Sequence, residues 1–420
     1  MILKSGKQKK RSSVGKKLLY ILTSLLGVVV ILMSCAYGAF YHYYSKMNIV
    51  AAGEEDFLTV SDSEPNNDDL DVNTMTDEEK AQLEEMNNSY KPGNIDYDFS
   101  DPDITNIMIL GTDARLKGRY RTNSDAMVLV SINKRTNKLF ISSFMRDILV
   151  DIPKGGNHKT EGKGKLNAAF GYGGSKLLFQ TYEKNFGIKF DKYVHLDLFD
   201  FINMINYLGG IDMYITAAET QAMNYPHIWE MNRLTGKAEG YNYLPKKSGT
   251  YHLNGVQALA YTRVRYVGGG DFGRTERQRK VIAEMIKKIK KMSLKKLNAF
   301  VERCLHYVTT NIGQTEILSL AKDAPEIMDY EQVNIRIPID NTYKSGKLKG
   351  TYILTIDLQK NADYWYSLVY LDKDISEDIN KRIVEEKAEA EAKAKAEEEA
   401  KAAAESQTEE ENGVTSSDGN

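Results

Sequence analysis

The stretch YTRVRYVGGGDFGRTERQRKVI, residues 261–282, sets Arg263, Arg265, Arg274, Arg277 and Arg279 around three consecutive glycines and Asp271. Guanidinium groups stay charged and donate hydrogen bonds in pairs, a geometry suited to phosphate oxygens. As an extended segment, residues 261–265 would turn Arg263 and Arg265 to one face, because strand side chains alternate. On a helix over residues 273–291, Arg274 and Gln278 stand four apart and in register with Ile282, so they face inward at the helix N-terminus. Free amides and the helix dipole favour an anion at that end. Arg277 falls on the flank. Arg279 and Lys280 face outward, where plain surface ion pairs suffice to explain them. The glycines would let the backbone approach an anion closely. Together these residues describe a phosphate pocket.

Such a pocket calls for a cation or an acid–base group. Asp113, in ILGTDAR, follows a short apolar run, and Asp125, in RTNSDAM, precedes the next. Carboxylates at strand ends can hold magnesium, which takes few protein oxygens and otherwise water and phosphate. A single Asp after Gly-Thr is otherwise an ordinary turn residue. SFMRD places Arg146 and Asp147 where a third strand ends; a salt-bridged corner is the simpler reading there. Lys165 lies just before a helix start and could bind an anion, and Asn167 fits an N-cap. No Ser-His-Asp order and no His/Cys metal spacing occurs, and His195 and His252 are expected to pack or cap.

Strands are expected at 104–110, 126–132 and 138–144, the last two joined by a turn over NKRTNK. A helix is expected at 167–186, a strand at 193–198, a helix at 199–208 and a strand at 211–215 after a Gly-Gly break. Val281, Ile282, Met285, Ile286 and Ile289 give the 273–291 helix an apolar face. Further helices at 296–308 and 314–330 and strands at 333–339 and 351–358 are expected to close an α/β domain. Residues 216–250 show weak periodicity but carry Tyr225, His227, Trp229, Tyr241 and Tyr243. They read either as a surface loop or as a lid or sugar-stacking surface.

The 420 residues carry a formal net charge of −2, which argues against a nucleic-acid partner. Cys35 and Cys304 are the only cysteines, so no disulfide framework is expected. Leu18–Tyr44 is a run of 27 residues without a charged side chain, long enough to span a bilayer. Lysines and Arg11 precede it and acidic residues follow, which orients the N-terminus to the cytoplasm and the rest outside. The run extends past Cys35, so an uncleaved anchor is expected in preference to a signal peptide or a lipoprotein box. The expected organisation is a basic segment at 1–17, a transmembrane helix at 18–44, an acidic stalk at 45–100, a domain at 101–372 and a Glu/Lys/Ala-rich tail at 373–420. Thr76 and Glu79 have capping-box spacing within the stalk.

In order, GTDAR, RTNSDAMVL, SFMRDILVDIP, KLNAAFGYGG, YVHLDLFDFINMINYLGGID and LNGVQALAYTRVRYVGGGDFGRTERQRKVI resemble the LytR-CpsA-Psr family over about residues 104–290. The resemblance implies a three-layer α/β/α domain with a central mixed β-sheet and an apolar tunnel for a prenyl chain. It implies a phosphotransferase that moves a glycopolymer from an undecaprenyl-pyrophosphate carrier to peptidoglycan through a phosphodiester bond, with Mg2+ bridging the pyrophosphate. By motif, Asp113 and Asp125 look like metal carboxylates. Arg146, Arg263 and Arg265 look like pyrophosphate ligands, with Arg274, Arg277 and Gln278 completing the pocket. Asp147 and Asp271 are similar to acids that orient arginines or accept a proton, and Lys165 and Asn167 match a Lys-x-Asn element. Asn123 stands where the family commonly has arginine, leaving Arg121 as a substitute, and Met145 stands where proline is usual. A carrier-lipid pyrophosphatase and a non-enzymatic lipid-pyrophosphate-binding regulator are the alternative readings.

Overall fold

Alternating apolar residues on the central strands sort to two faces, and both faces are covered. The computed structural model describes residues 43–51, 76–88, 97–112, 123–327, 329–348 and 350–414. The strands in chain order are β1 (Asn48–Ile49), β2 (Ile104–Thr112), β3 (Ser124–Asn133), β4 (Lys138–Phe144), β5 (Leu149–Ile152), β6 (Gly162–Lys165), β7 (Lys192–Asp197), β8 (Ile211–Ile215), β9 (Gly249–Leu253), β10 (Thr309–Thr310), β11 (Glu331–Ile337), β12 (Tyr343–Leu348) and β13 (Thr351–Ile356). The helices are α1 (Asp77–Asn88), α2 (Ala168–Phe186), α3 (Leu198–Leu208), α4 (Ala217–Ala222), α5 (Trp229–Leu234), α6 (Gly255–Arg263), α7 (Gly270–Lys290), α8 (Leu294–Cys304), α9 (Gln314–Ile327), α10 (Leu358–Tyr370) and α11 (Ser376–Val414). A π-helical turn, Met223–Ile228, joins α4 to α5.

The central sheet runs β1-β10-β7-β2-β3-β4-β11 and is mixed. β7 pairs parallel with β2, and β4 parallel with β11, while β3 lies antiparallel between β2 and β4. Ile107, Val128, Val130, Ile132, Leu139 and Val194 face a core built with α3, α6, α7, α8 and α9. The alternate residues serve the other face. There Phe144 meets Tyr182 and Phe186 of α2 at ring-centroid distances of 4.9 and 5.4 Å. The mixed sheet with helices on both sides is the expected α/β/α arrangement.

Four expectations need correction. Residues 261–263 are the last turn of α6, not a strand. Asn254 and Gln257 form a capping box that starts α6, and Ala258, Leu259 and Ala260 continue it. The strand expected at 351–358 ends at Ile356 and pairs with β12 in a separate two-stranded sheet, with a bridge from Leu354 to Ile148. Residues 216–250 are largely ordered helix and turn, not an open loop. Asn167 does not cap α2 through its side chain.

Residues 18–42 of the expected membrane span lie outside the described residues. Among the described residues no helix is long and apolar enough to cross a membrane. Tyr43 and Met47 are buried in the core, and β1 lies on the sheet, inside the segment expected as a stalk. Thr76 and Glu79 do form a capping box, with reciprocal bonds of 3.2 and 2.9 Å. Two units partition the chain, residues 1–362 and 363–420. In the second, α11 is exposed from Val384 to Lys393.

Candidate active site

The carboxyl ends of β2, β4 and β7 and the start of β3 share one edge of the sheet, the usual place for a site in such folds. Asp125 is the second residue of β3. Arg146 and Asp147 follow β4 directly, in a turn fixed from three directions. Met145 donates its N–H to Ile337 O at 2.9 Å, Asp147 O accepts from Leu354 N–H at 2.8 Å, and Arg146 O accepts from Asn167 N–H at 3.2 Å. Asn167 O in turn accepts from Ser124 N–H at 3.3 Å, so the Asn167 peptide ties β3 to the Arg146 turn. The Asn167 Oδ1 and Ser124 Oγ atoms are buried, with no hydrogen-bond partner among the described residues.

Seven charged side chains converge here. Arg146 Nη1 contacts Asp125 Oδ1 at 2.5 Å, and Arg146 Nε contacts Asp147 Oδ2 at 3.3 Å. Lys165 Nζ, from the end of β6, reaches Asp147 Oδ1 at 3.0 Å, and both side chains are 3% exposed. From α7, Arg274 Nη1 lies 3.8 Å from Asp125 Oδ1, and Arg274 Nε lies 3.5 Å from Asp271 Oδ1. Arg265 Nε stands 3.5 Å from the same Asp271 oxygen and is the most exposed of the four cations. Among the described residues, three carboxylates thus face four cations.

That imbalance shows in the proton affinities. Burial, and then Arg146, pull the Arg274 guanidinium down to about 10. Burial opposes the charge on Arg146 too, but Asp125, Asp147 and Asp271 outweigh it and hold the group above its ordinary value. Burial works to raise the Asp125 carboxyl, yet Arg146 and Arg274 keep it below the usual range. Arg274 is 3% exposed, and its Nε makes no hydrogen bond to a described residue. A buried donor in a cationic surplus is a place for an anion.

Residues 68–369 match the LytR_cpsA_psr family. The chain belongs to that family. Biofilm regulatory protein A of Streptococcus mutans is 32% identical over 53% of this chain and 52% of its own length. A polyisoprenyl-teichoic acid–peptidoglycan teichoic acid transferase, TagU, of Enterococcus faecalis is 32% identical over 47% of this chain and 56% of its own. The chain therefore spans about half the length of these relatives. The crystal structure of protein gbs0355 from Streptococcus agalactiae is 25% identical, covers 62% of this chain and 88% of its own, and superposes with a TM-score of 0.50.

Against the family's motifs, the structure brings Asp125, Arg146, Asp147, Lys165, Arg265, Asp271 and Arg274 together. Arg263 ends α6 and turns to Glu230 of α5 at 3.1 Å, away from the face expected for it. Arg277 is spent on the fold. Its Nε donates to Glu219 at 3.0 Å, and its other nitrogens donate to Val264 O and Val267 O, which fastens the turn between α6 and α7. Gln278 is half-buried and has no hydrogen bond to a described residue. Asp113 and Arg121 lie outside the described residues. The three glycines, Gly268, Gly269 and Gly270, have φ of 59°, 82° and 57°, and a Cβ on Gly273 would stand 2.0 Å from Gly268 O. Glycine is required here by the turn itself. Sequence reading missed Thr112, whose Oγ1 lies 2.9 Å from His195 Nε2 beside the Asp113 position; the parallel β2–β7 register that brings them together is not visible locally.

Among the described residues no three acidic, histidine or cysteine side chains converge as a metal site. Magnesium needs only one or two carboxylate oxygens when phosphate completes its shell. Both Asp125 ion pairs use Oδ1, which leaves Oδ2 able to take that role.

Proposed function

We propose that this chain is a phosphotransferase that moves a glycopolymer from an undecaprenyl-pyrophosphate carrier to a peptidoglycan sugar hydroxyl, forming a phosphodiester. The observation that carries the reading is the buried Arg274, whose Nε meets Asp271 only at 3.5 Å and makes no hydrogen bond to a described residue, inside a cluster that among the described residues has more cations than carboxylates. A pyrophosphate diester supplies the missing negative charge, and Arg146, Arg265 and Arg274 can grip its oxygens in pairs. The acceptor oxygen attacks the phosphorus that bears the sugar. The bond to the bridging oxygen breaks, and polyprenyl phosphate leaves, carrying the proton given up by the acceptor hydroxyl. Negative charge grows on that leaving group, where converging guanidinium groups stabilise it without reorganising. Asp125 and Asp113 would hold Mg2+, which when bound supplies further charge neutralisation to the phosphates.

Asp147 pairs with Arg146 and Lys165, and Asp271 stands 3.5 Å from both Arg265 and Arg274. In this reading both acids position cations. Arg277 positions the Arg265 turn. The name of the Enterococcus faecalis relative agrees with the reaction. An open cleft of about 240 Å3 has an isoleucine- and alanine-lined floor (Ile141, Ile282, Ala283 and Ile286) and a polar rim that includes Glu276 and Arg279, with room there for isoprene units. The proposed setting is the outer face of a bacterial membrane, with the N-terminus in the cytoplasm and residues 18–44 as the anchor.

The test uses the full chain in detergent with a prenyl-pyrophosphate-linked glycan and soluble peptidoglycan fragments. A phosphodiester-linked product that disappears with Arg274→Ala and Asp125→Ala is expected. Release of prenyl phosphate without attachment would instead establish a pyrophosphatase. Binding without turnover would establish a regulator.

A further inference from the structure

We propose that the aromatic pair Tyr225–Trp229, beside the Arg263–Glu230 ion pair, is a subsite that stacks a pyranose ring of the acceptor glycan. The proposal rests on the transferase reading above and adds to it the place where the second substrate lies.

Three observations converge on this segment. The first is rigidity. Asn224 Nδ2 donates to Leu244 O and Asn224 Oδ1 accepts from Leu244 N–H, both at 2.8 Å. Asn242 Nδ2 donates to Asn232 Oδ1, and Asn254 Nδ2 to Asn242 Oδ1, both at 2.9 Å. This buried amide ladder fastens residues 239–244 to the helical turns and to the start of α6. The segment is a fixed surface, and a lid would need those bonds broken.

The second is unexplained aromatic exposure. Tyr225 is 65% exposed, and its ring lies 5.5 Å from that of Trp229 at an interplanar angle of 56°. The two rings form an open corner. Arg233 Cζ lies 4.9 Å from the Trp229 ring, and Glu230 and His227 flank it in sequence. A hydrocarbon chain would be poorly served by that polar rim. A sugar ring suits it, with an apolar C–H face for an aromatic ring and hydroxyls for the charged rim.

The third is position. Glu230, next to Trp229, holds Arg263 at 3.1 Å, two residues before Arg265 of the anion cluster. His227 lies within electrostatic reach of both Arg263 and Arg265. Burial, and then those two arginines, hold its imidazole down to about 4, so it is neutral at working pH. It makes no hydrogen bond to a described residue and so offers one donor and one acceptor to a sugar hydroxyl. The carrier pyrophosphate belongs at Arg146 and Arg274. The aromatic corner is tied through Glu230 to Arg263, and through His227 it lies within electrostatic reach of Arg265, the cluster's most exposed cation, the side from which an incoming hydroxyl group would arrive.

The chain has two tryptophans, and Trp365 is 0% exposed. Emission changes therefore report Trp229. The full chain in detergent is titrated with a soluble peptidoglycan glycan fragment and, separately, with a prenyl-pyrophosphate-linked glycan. Tyr225→Ala is expected to weaken the peptidoglycan fragment about tenfold, and Tyr225→Phe to preserve it, while prenyl-pyrophosphate binding stays at the wild-type level. Unchanged fragment binding in Tyr225→Ala overturns the subsite, as does a loss confined to the donor glycan. Loss of fragment binding equally in Tyr225→Phe overturns stacking as its basis. Failure of the transferase reading registers separately, as donor binding that survives Arg274→Ala.

Discussion

The Asp147 carboxylate has no contact with solvent to spare and holds two cations, Arg146 and Lys165. Breaking a buried pair leaves the remaining charge uncompensated, which costs about 3–5 kcal/mol. Asp147→Asn is accordingly expected to lower unfolding stability by about that amount, read as a shift in the urea midpoint. A surface ion pair at the same positions would lose under about 1 kcal/mol. His195 gives a second residue-scale expectation. Burial holds its imidazole down to about 4 against an ordinary 6.5. As pH falls the unfolded chain takes up the proton first, so stability is full above 6.5 and declines toward about 4. The decline should amount to about 3 kcal/mol. His227 adds to it in the same window. The depressed Asp125 carboxyl acts lower, its share being lost as pH falls through and below the ordinary carboxylate range. Denaturation curves measured across this range should lose the His195 share of their slope between 6.5 and 4 in His195→Leu and keep that of His227. A wild-type curve with no slope there would remove His195 from the account.

At the scale of elements, the turn between α6 and α7 carries the strongest expectation. Arg277 holds it with three separate donors, to Glu219, Val264 and Val267. Lysine keeps the charge but lacks the planar fork. Arg277→Lys should cost about 1–3 kcal/mol and weaken prenyl-pyrophosphate binding by freeing Arg265, as calorimetry and a binding titration would show. Much of this level was legible in the sequence. KLFISSF at 138–144 is β4 to the residue, because an apolar run bounded by turn residues has few other outcomes. The convergence of Asp125, Arg146, Arg265 and Arg274 followed from motif order and from the inward face of α7. What stayed hidden was set by distant partners. Nothing near residue 277 reveals Glu219, and nothing near 263 reveals Glu230. The helical end at Arg263 was legible in principle, since Asn254 and Gln257 have capping-box spacing. The Arg-x-Arg spacing suggested a strand where the cap had already started a helix.

Over the whole molecule, the mixed sheet gathers at one edge charges drawn from residues 125 to 274, and the long carboxyl-terminal helix α11 stands apart from that task. Its exposed stretch from Val384 to Lys393 has no apolar side to bury. Removing residues 390–420 should leave the melting temperature within about 1 °C of the full chain, because a Glu/Lys/Ala sequence without an apolar stripe contributes little to cooperative unfolding. A large drop in a thermal scan would show that the tail supports the fold. At the other terminus the arrangement is the reverse. Tyr43 and Met47 are buried in the core, and Asn48 and Ile49 are annealed to Thr309 and Thr310. A pull applied to the chain upstream of residue 43 is therefore borne by the sheet itself before any slack leash can extend. A load that reaches Tyr43 would thus pass into β1, and the edge that carries Asp125 and Arg146 would tilt and travel with it.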